Sequence, residues 1–409
     1  MRLAYVDPQA YPSAAPASLQ TFHTCVGLAA HAEGVWLVGG RGSMPDAEAY
    51  YGVRQPANLV LLRLPRFRRE QGWVRLSWTA PFHFLALARV RRLVHDEGIE
   101  VVLIRNLKVA RFFLRAHRRR ALPPVVFESH QVFADTFREE AARQGRDVAG
   151  KLRRLAALEA EVYREAAGLI VLTHQLAAIL GERFATRGLI QVAPDGVDLR
   201  GPLAVVANAA DGPVTYLGNF HPWKGVEILV QAIACAPGLQ LTLVGGEPGA
   251  RARIAALAGD LGVTNRVRLV GPVPPPQRWR YLAEASVCVL PLTRSVFGTS
   301  FTSPLKLFEY MAAGRPIVAS DLPTLREVLQ DGENALLVPP EDPPALAAAI
   351  QRLRADRSLA ERLASRAAKD VCAYTWEKRG KTILEFLQRV KAACGMGAGP
   401  GGHAVQSRP

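Results

Sequence analysis

Two short segments carry residue types whose spacing suits phosphate chemistry. The first, Tyr216-Leu217-Gly218-Asn219-Phe220-His221-Pro222-Trp223-Lys224-Gly225, leaves an apolar run, turns and opens a helical pattern. Open α/β sheets place ligands at the end of a strand in this way, so Lys224 is a candidate phosphate ligand, with a solvated surface lysine as the alternative that spacing alone leaves open. The second runs from Ser303 to Pro316 and reads as one short helix: Ser303 as N-cap, Pro304 at the first helical position, Gly314 as the left-handed residue past the end. Unpaired amides at Leu305 and Lys306, together with the positive end of the dipole, make an anion site to which Lys306 adds a charge. Glu309 sits about one turn further on, within reach of hydroxyls beyond a bound phosphate. An ordinary capped helix would have the same spacing. Gly245 and Gly246, after the apolar run Leu241 to Val244, permit close backbone approach to a ligand.

The elements that must position these residues alternate short β-rich runs with longer amphipathic stretches, the pattern of βαβ units and parallel sheets. Expected strands are Leu3 to Val6, Val35 to Val38, Val101 to Ile104, Val125 to Glu128 and Gly168 to Leu172, with helices among them at Ala17 to His31, Phe84 to Asp96 and Val148 to Ala166. A turn-rich linker, Val192 to Asp198 and on to Pro213, precedes a second series: Val214 to Leu217, Gln240 to Val244, Val267 to Val270, Val287 to Leu290, Pro316 to Ser320 and Ala335 to Val338. The division is 1–193 and 194–372 as two Rossmann-like halves, 373–394 as a closing helix from Trp376, and a Gly-rich tail at 395–409 expected to be disordered.

A chain of 409 residues exceeds what one core usually serves, and 49% hydrophobic with 21% charged residues is a globular balance. The start at Met1 is strand-like, with no export signal, and apolar stretches such as Phe82 to Val90 are too short to span a bilayer. Cys25, Cys235, Cys288, Cys372 and Cys394 lack metal-like spacing and are odd in number, which points to a reducing cytoplasm. A net charge of +15 favours anionic partners, namely sugar nucleotides, anionic lipid or nucleic acid, or else reflects arginine use on solvated surfaces. From Leu64 to Trp78 arginines alternate with Phe67, Trp73, Val74 and Trp78, a composition suited either to an anionic membrane face or to tryptophans packed in the core.

Lys224-Gly225, the Ser303 to Gly314 helix with Pro316 to Asp321, and Glu327 through Asp331 to Val338 resemble the C-terminal domain of family 4 retaining glycosyltransferases. The likeness is specific over Val192 to Ala349, extends to the Trp376 helix, and covers the first half only in layout. It implies a GT-B fold: an N-terminal acceptor domain, a C-terminal donor domain, and a last helix crossing back. It further implies that Lys224 binds the donor diphosphate and Glu309 the ribose as the second glutamate of a Glu-x7-Glu motif. Amides at Leu305 and Lys306 would complete a cradle with Gly218, Asn219, Gly245, Gly246, Ser303 and Pro304. His130, after Phe127-Glu128-Ser129, takes the place of the family's catalytic-site histidine, with His174 and His23 as weaker candidates.

Two departures stand out. Phe301 occupies the position of the first glutamate, which in the family contacts the transferred sugar, so the expectation is that the donor hexose is held by other groups or packs partly on an aromatic. Asn219 replaces an arginine, and Lys306 is the candidate compensation. The implied donor is a UDP- or GDP-sugar with no tightly bound cofactor; no Asp-x-Asp motif calls for a metal, and Mg²⁺ would only assist. The expected acceptor is a glycan or lipid-linked hydroxyl, presented at the inner membrane face, with peripheral attachment there, if the Leu64 to Trp78 composition marks an anionic membrane surface. A sugar-nucleotide epimerase lacks recognisable acid/base carboxylates here, a dehydrogenase would need GxGxxG where Tyr11 to Pro16 stands, and no nucleic-acid motif is present. A catalytically impaired scaffold is the other reading that Phe301 and Asn219 leave open. Nucleotide, sugar, acceptor, linkage and oligomeric state are not written in the sequence.

Overall fold

A computed structural model describes residues 1–42, 46–65, 79–119, 122–186, 188–199 and 211–396. Strands β1 (Arg2–Tyr11), β2 (Gly34–Arg41), β3 (Leu59–Leu64), β4 (Val101–Ile104), β5 (Val125–Ser129), β6 (Gly168–Val171) and β7 (Leu189–Val192) form a seven-stranded sheet ordered β3-β2-β1-β4-β5-β6-β7. A six-stranded sheet follows from β8 (Val214–Leu217), β9 (Leu241–Val244), β10 (Val267–Val270), β11 (Val287–Leu290), β12 (Ile317–Ser320) and β13 (Leu336–Val338), ordered β10-β9-β8-β11-β12-β13. Every pairing is parallel. Central strands such as Val101–Ile104 and Val287–Leu290 are unbroken apolar runs, because helices cover both faces of a parallel sheet. Each sheet reverses its order beside its first strand, between β1 and β4 and between β8 and β11. Such switch points open a crevice at the carboxyl ends of the strands. The fold is the expected α/β GT-B arrangement of two Rossmann-like domains.

The last helix, Trp376–Met396, crosses back as expected and packs on the helix Pro16–Ala29. A Cβ at Gly27 would lie 2.0 Å from the Trp376 carbonyl oxygen, and one at Gly380 would lie 2.1 Å from the Gly27 carbonyl carbon, so glycine is needed on both helices for this approach. Ile383, Phe386, Leu387 and Val390 share one core with Leu3, Tyr5 and Phe22. The outgoing and returning crossings run side by side, the Val197 amide donating to the Tyr374 carbonyl at 2.9 Å.

Strands expected at Val101–Ile104, Val214–Leu217, Val267–Val270 and Val287–Leu290 have those bounds. β1 runs past Val6 to Tyr11, slipping register against β2 between Asp7 and Ala10. β3 and β7, which the pattern did not mark, are the two outermost strands of their sheet. Residues 66–78 of the arginine and tryptophan stretch, residues 200–210 of the linker, and residues 397–409 of the tail lie outside the described residues. Among those described, no helix is long and apolar enough to cross a membrane.

Candidate active site

The carboxyl ends of both sheets meet at a cleft of about 240 Å³, with Gln20, Arg105, His130 and Asp195 among its lining on one side and Gly218, Asn219, Lys224, Lys306 and Glu309 on the other. The C-terminal wall begins where β8 ends. Gly218 has φ 125°, and a Cβ there would sit 2.8 Å from the Lys306 ammonium nitrogen, so the glycine makes room for the lysine. Lys224 closes the single turn Pro222–Lys224, and a Cβ on Gly225 would overlap the Pro291 carbonyl oxygen at 1.7 Å, which seats this loop against the end of β11.

The helix Leu305–Ala312 starts later than the capping pattern indicates. Pro304 occupies the cap position with extended backbone (φ −79°, ψ 116°), and Ser303 lies outside the helix. Its hydroxyl accepts from the Asp195 amide at 3.1 Å instead of capping. A proline directly before the helix supplies no side-chain acceptor, so the amides of Leu305 and Lys306, which have no intrahelical carbonyl to reach, still point outward. At the other end Gly314 is left-handed (φ 60°), as expected.

The two lysines are buried, and neither forms an ion pair with a carboxylate among the described residues, although the charge of Glu309 acts on Lys306. Lys224 Nζ lies 3.6 Å from the Trp223 ring centroid and Lys306 Nζ 3.6 Å from that of Tyr216. Lys306 Nζ has no hydrogen-bond acceptor, and Asn219 Oδ1 is likewise orphaned. Burial pushes the Lys224 ammonium down to about 7. Burial, and then the charge on Lys224, push Lys306 well below the ordinary lysine value. Cations in such a place call for an anionic ligand. Glu309 is ion-paired with Arg278 at 2.9 Å, a partner that spacing cannot reveal because it sits 31 residues away on a different helix. Gly245 and Gly246 do not line the cleft: a Cβ at Gly245 would meet the Gly218 carbonyl, and one at Gly246 the Phe220 ring. They let two loops approach each other.

The N-terminal wall is paired throughout. His130 Nε2 lies 2.7 Å from Glu128 Oε1, and its Nδ1 lies 3.1 Å from an Arg105 nitrogen. Glu128 also accepts from Tyr5 at 2.6 Å and from Arg379 at 2.6 Å. Burial, then Arg105, push the His130 imidazole down to about 4. His130 lines the cleft as expected of a site histidine, but with both ring nitrogens engaged and protonation disfavoured it is poorly placed to exchange a proton with a ligand. Sequence reasoning missed Asp195, a buried carboxyl in the linker held by Gln20; burial is the leading cause that raises it to about 6. His174 sits at the domain contact, where its amide and that of Gln175 donate to Glu327 at 2.8 and 2.9 Å. His23 stacks on Trp376 at 5.3 Å, outside the cleft.

Phe301 also departs from expectation. It is fully buried, belongs to the N-terminal core with Val171 and Leu176, and does not line the cleft, so it offers no surface to a sugar. The π-turn Phe297–Phe301 carries it across the domain boundary, and Phe297 lines the cleft in its place.

With this geometry in place, the chain's likeness to known proteins becomes informative. Residues 18–196 match a model described as glycosyl transferase 4-like domain, and residues 212–356 one described as glycosyl transferases group 1. The chain belongs to this glycosyltransferase family. A D-inositol 3-phosphate glycosyltransferase of Acidothermus cellulolyticus is 34% identical over 183 residues, covering 42% of this chain and 39% of that protein. The chain spans about half the length of the curated relatives it matches. Among solved glycosyltransferase folds, a sucrose-phosphate synthase from Thermosynechococcus elongatus superposes with TM-score 0.78 at 24% identity, covering 96% of this chain and 99% of that one. Anabaena HepE in complex with UDP-glucose gives TM-score 0.68 at 19% identity, covering 95% and 100%. These likenesses establish the fold that brings Lys224, Lys306 and Glu309 to one wall.

Proposed function

We propose that the protein transfers a sugar from a nucleoside-diphosphate sugar to an acceptor hydroxyl, with retention at the anomeric carbon. The observation that carries this is the buried Lys306 side-chain nitrogen, without a hydrogen-bond acceptor among the described residues, beside Lys224 and the open amides of the Leu305–Ala312 helix. Cleaving the anomeric carbon–phosphate bond builds negative charge on the departing diphosphate. Fixed cations and amides at that point stabilise it more than they stabilise the bound donor, and this is the largest single contribution such a site can make. Acceptor oxygen attacks the anomeric carbon as the phosphate oxygen leaves on the same face, and the acceptor proton passes to that leaving oxygen. No enzymic nucleophile is required, which suits a cleft whose histidine is already engaged.

In this reading residues 1–193 hold the acceptor, 194–372 the donor, and 373–394 close the first domain. Glu309 takes the ribose hydroxyls. The base extends toward an adjoining cavity of about 360 Å³ lined by Tyr51, Pro275, Trp279 and Trp376. UDP is the favoured nucleotide, supported by UDP-glucose in the HepE complex, with GDP the alternative. Mg²⁺ assists without being required. A glycan or lipid-linked hydroxyl at the cytoplasmic membrane face is the acceptor, supported by the arginine and tryptophan composition of Leu64 to Trp78. Nucleotide binding is tested by thermal shift with free UDP, GDP and ADP, since a ligand of the native state at about 100 times its Kd adds about 2.7 kcal/mol. One nucleotide should stand out, and a flat response to all three sinks the reading. Hydrolysis of matching sugar donors then separates an enzyme from a scaffold that binds nucleotide only, the reading that Phe301 in the core favours.

A further inference from the structure

Arg379 belongs to the last helix, yet its guanidinium ends beneath the N-terminal wall of the cleft. It is 4% exposed. Its Nε donates to Thr24 Oγ1 at 3.1 Å, one terminal nitrogen to the carbonyls of Ala193 and Pro194, and the other to Glu128 Oε1 at 2.6 Å. Four segments distant in sequence therefore converge on one side chain: the first helix, the end of β5, the linker and the closing helix.

The hydrogen bonds fix the state of His130. Glu128 is held below the ordinary carboxylate range: burial opposes its charge, and Arg379, His130 and Arg105 together outweigh burial. As an ionised carboxylate it can only accept, so His130 Nε2 must carry the hydrogen. Arg105 can only donate, so Nδ1 must be the bare acceptor. A second proton on the ring would set N–H against N–H at Arg105. Arg105 is itself pinned, donating to the Ala17 carbonyl at 2.9 Å and Thr21 Oγ1 at 3.1 Å, so it cannot turn away.

The groups facing the ring are Glu128 on β5, Arg105 after β4, Arg379 on the last helix, Tyr5 and Asp7 on β1 behind Glu128 and Arg105, and Asp195 in the linker. Among them Arg379 is the cation that shares Glu128 with the ring.

We propose that Arg379 is a positioning residue which, by balancing Glu128, acts with Arg105 to keep His130 neutral in its Nε2–H form, so that the ring itself adds no charge to the cleft wall. The consequence for function rests on the cleft being the substrate site. The tautomer is a property of the protein alone, so the two can fail separately.

The test is long-range ¹H–¹⁵N spectroscopy of the protein with ¹⁵N-labelled histidine between pH 5.5 and 8.5. His130 signals are identified by their loss in His130→Gln. Wild type should show the neutral Nε2–H pattern throughout. In Arg379→Gln, which leaves an amide donor but no charge, the ring should titrate higher than in wild type, with its midpoint brought inside this window, and Arg379→Lys should restore the wild-type pattern. An imidazolium at pH 6.5 in wild type, or an Arg379→Gln ring that titrates as wild type, overturns the proposal. Should Arg379→Gln not fold, Arg379→Lys decides it: a neutral ring supports the role of charge, and a ring charged at pH 6.5 removes it.

Discussion

The two walls of the cleft follow opposite rules. On the N-terminal side Glu128, His130, Arg105 and Arg379 are joined in one hydrogen-bonded network in which both ring nitrogens of His130 and both oxygens of Glu128 are engaged. On the C-terminal side Lys224 and Lys306 are buried against aromatic rings, and Lys306 Nζ and Asn219 Oδ1 have no hydrogen-bond partner among the described residues. A saturated network gives shape and rigidity, whereas unpaired buried cations cost stability that a ligand returns. The C-terminal wall therefore holds polar groups that an anion would satisfy, whereas the N-terminal wall offers a ligand its shape and the few hydrogen bonds left over.

The largest break in this comparison comes at the boundary between the walls. Phe301→Glu puts a charge into the N-terminal core and should destabilise the fold by more than about 3 kcal/mol, whereas Phe301→Leu should cost about 1–2 kcal/mol. Chemical denaturation measures both. A folded Phe301→Glu protein with altered donor preference would restore the sugar-facing assignment.

Next is the charge itself. Lys224→Ala and Lys306→Met should each lose about 2–4 kcal/mol of transition-state stabilisation, on the order of 10² to 10³ in kcat/KM. Their ligand-free melting temperatures should hold or rise, because an unpaired buried ammonium is removed. Equal losses of stability and turnover would mean that the lysines are structural.

A smaller effect follows from pH. In the folded protein Lys224 loses its proton near 7, whereas the unfolded chain holds it to about 10.4. The folded state therefore binds fewer protons in that window, so the penalty from Lys224 is greatest below about pH 7 and is relieved as pH rises. Nucleotide diphosphate favours the charged form and takes up a proton on binding. Its affinity should fall from pH 7 to 9, approaching tenfold per unit for one proton, and calorimetry in buffers of different ionisation enthalpy reads the uptake. A pH-independent Kd would contradict it.

The smallest change is expected at His130. Gln there can still donate to Glu128 and accept from Arg105, so His130→Gln should lower kcat by less than about tenfold, against the 10² to 10⁴ typical of a lost acid or base. A thousandfold fall would make His130 a proton-transfer residue.

The sequence made the frame legible because central parallel strands are dense apolar runs; Val101–Ile104 and Val287–Leu290 announce themselves. β3 and β7 did not, because outer strands are only partly buried and carry residues such as Arg63 and Gln191. Lys224, Lys306 and Glu309 could be picked out because helix starts and strand ends are local signals. The partners of those residues could not: Arg278 lies 31 positions from Glu309, and Arg379 lies 251 from Glu128. His130 was placed in the wall by its strand, but its chemistry is set by groups that only the fold assembles. Ser303 shows the reverse case, a good cap type whose hydroxyl is claimed by the Asp195 amide.

The Gly27 and Gly380 crossing also sets a timetable for synthesis. The first domain's sheet ends with β7 at Val192, but the core beneath it needs Phe386 and Val390, and Glu128 needs Arg379. At about 5–20 residues per second, some 200 residues separate these events, roughly 10–40 s of translation. Throughout that interval the nascent first domain exposes the apolar groove along helix Pro16–Ala29 and holds Glu128 without its arginine. The helix Trp376–Met396 therefore acts as the closing step of the domain made first, and a ribosome that stops short of Arg379 releases a lobe whose cleft wall has no fixed charge balance.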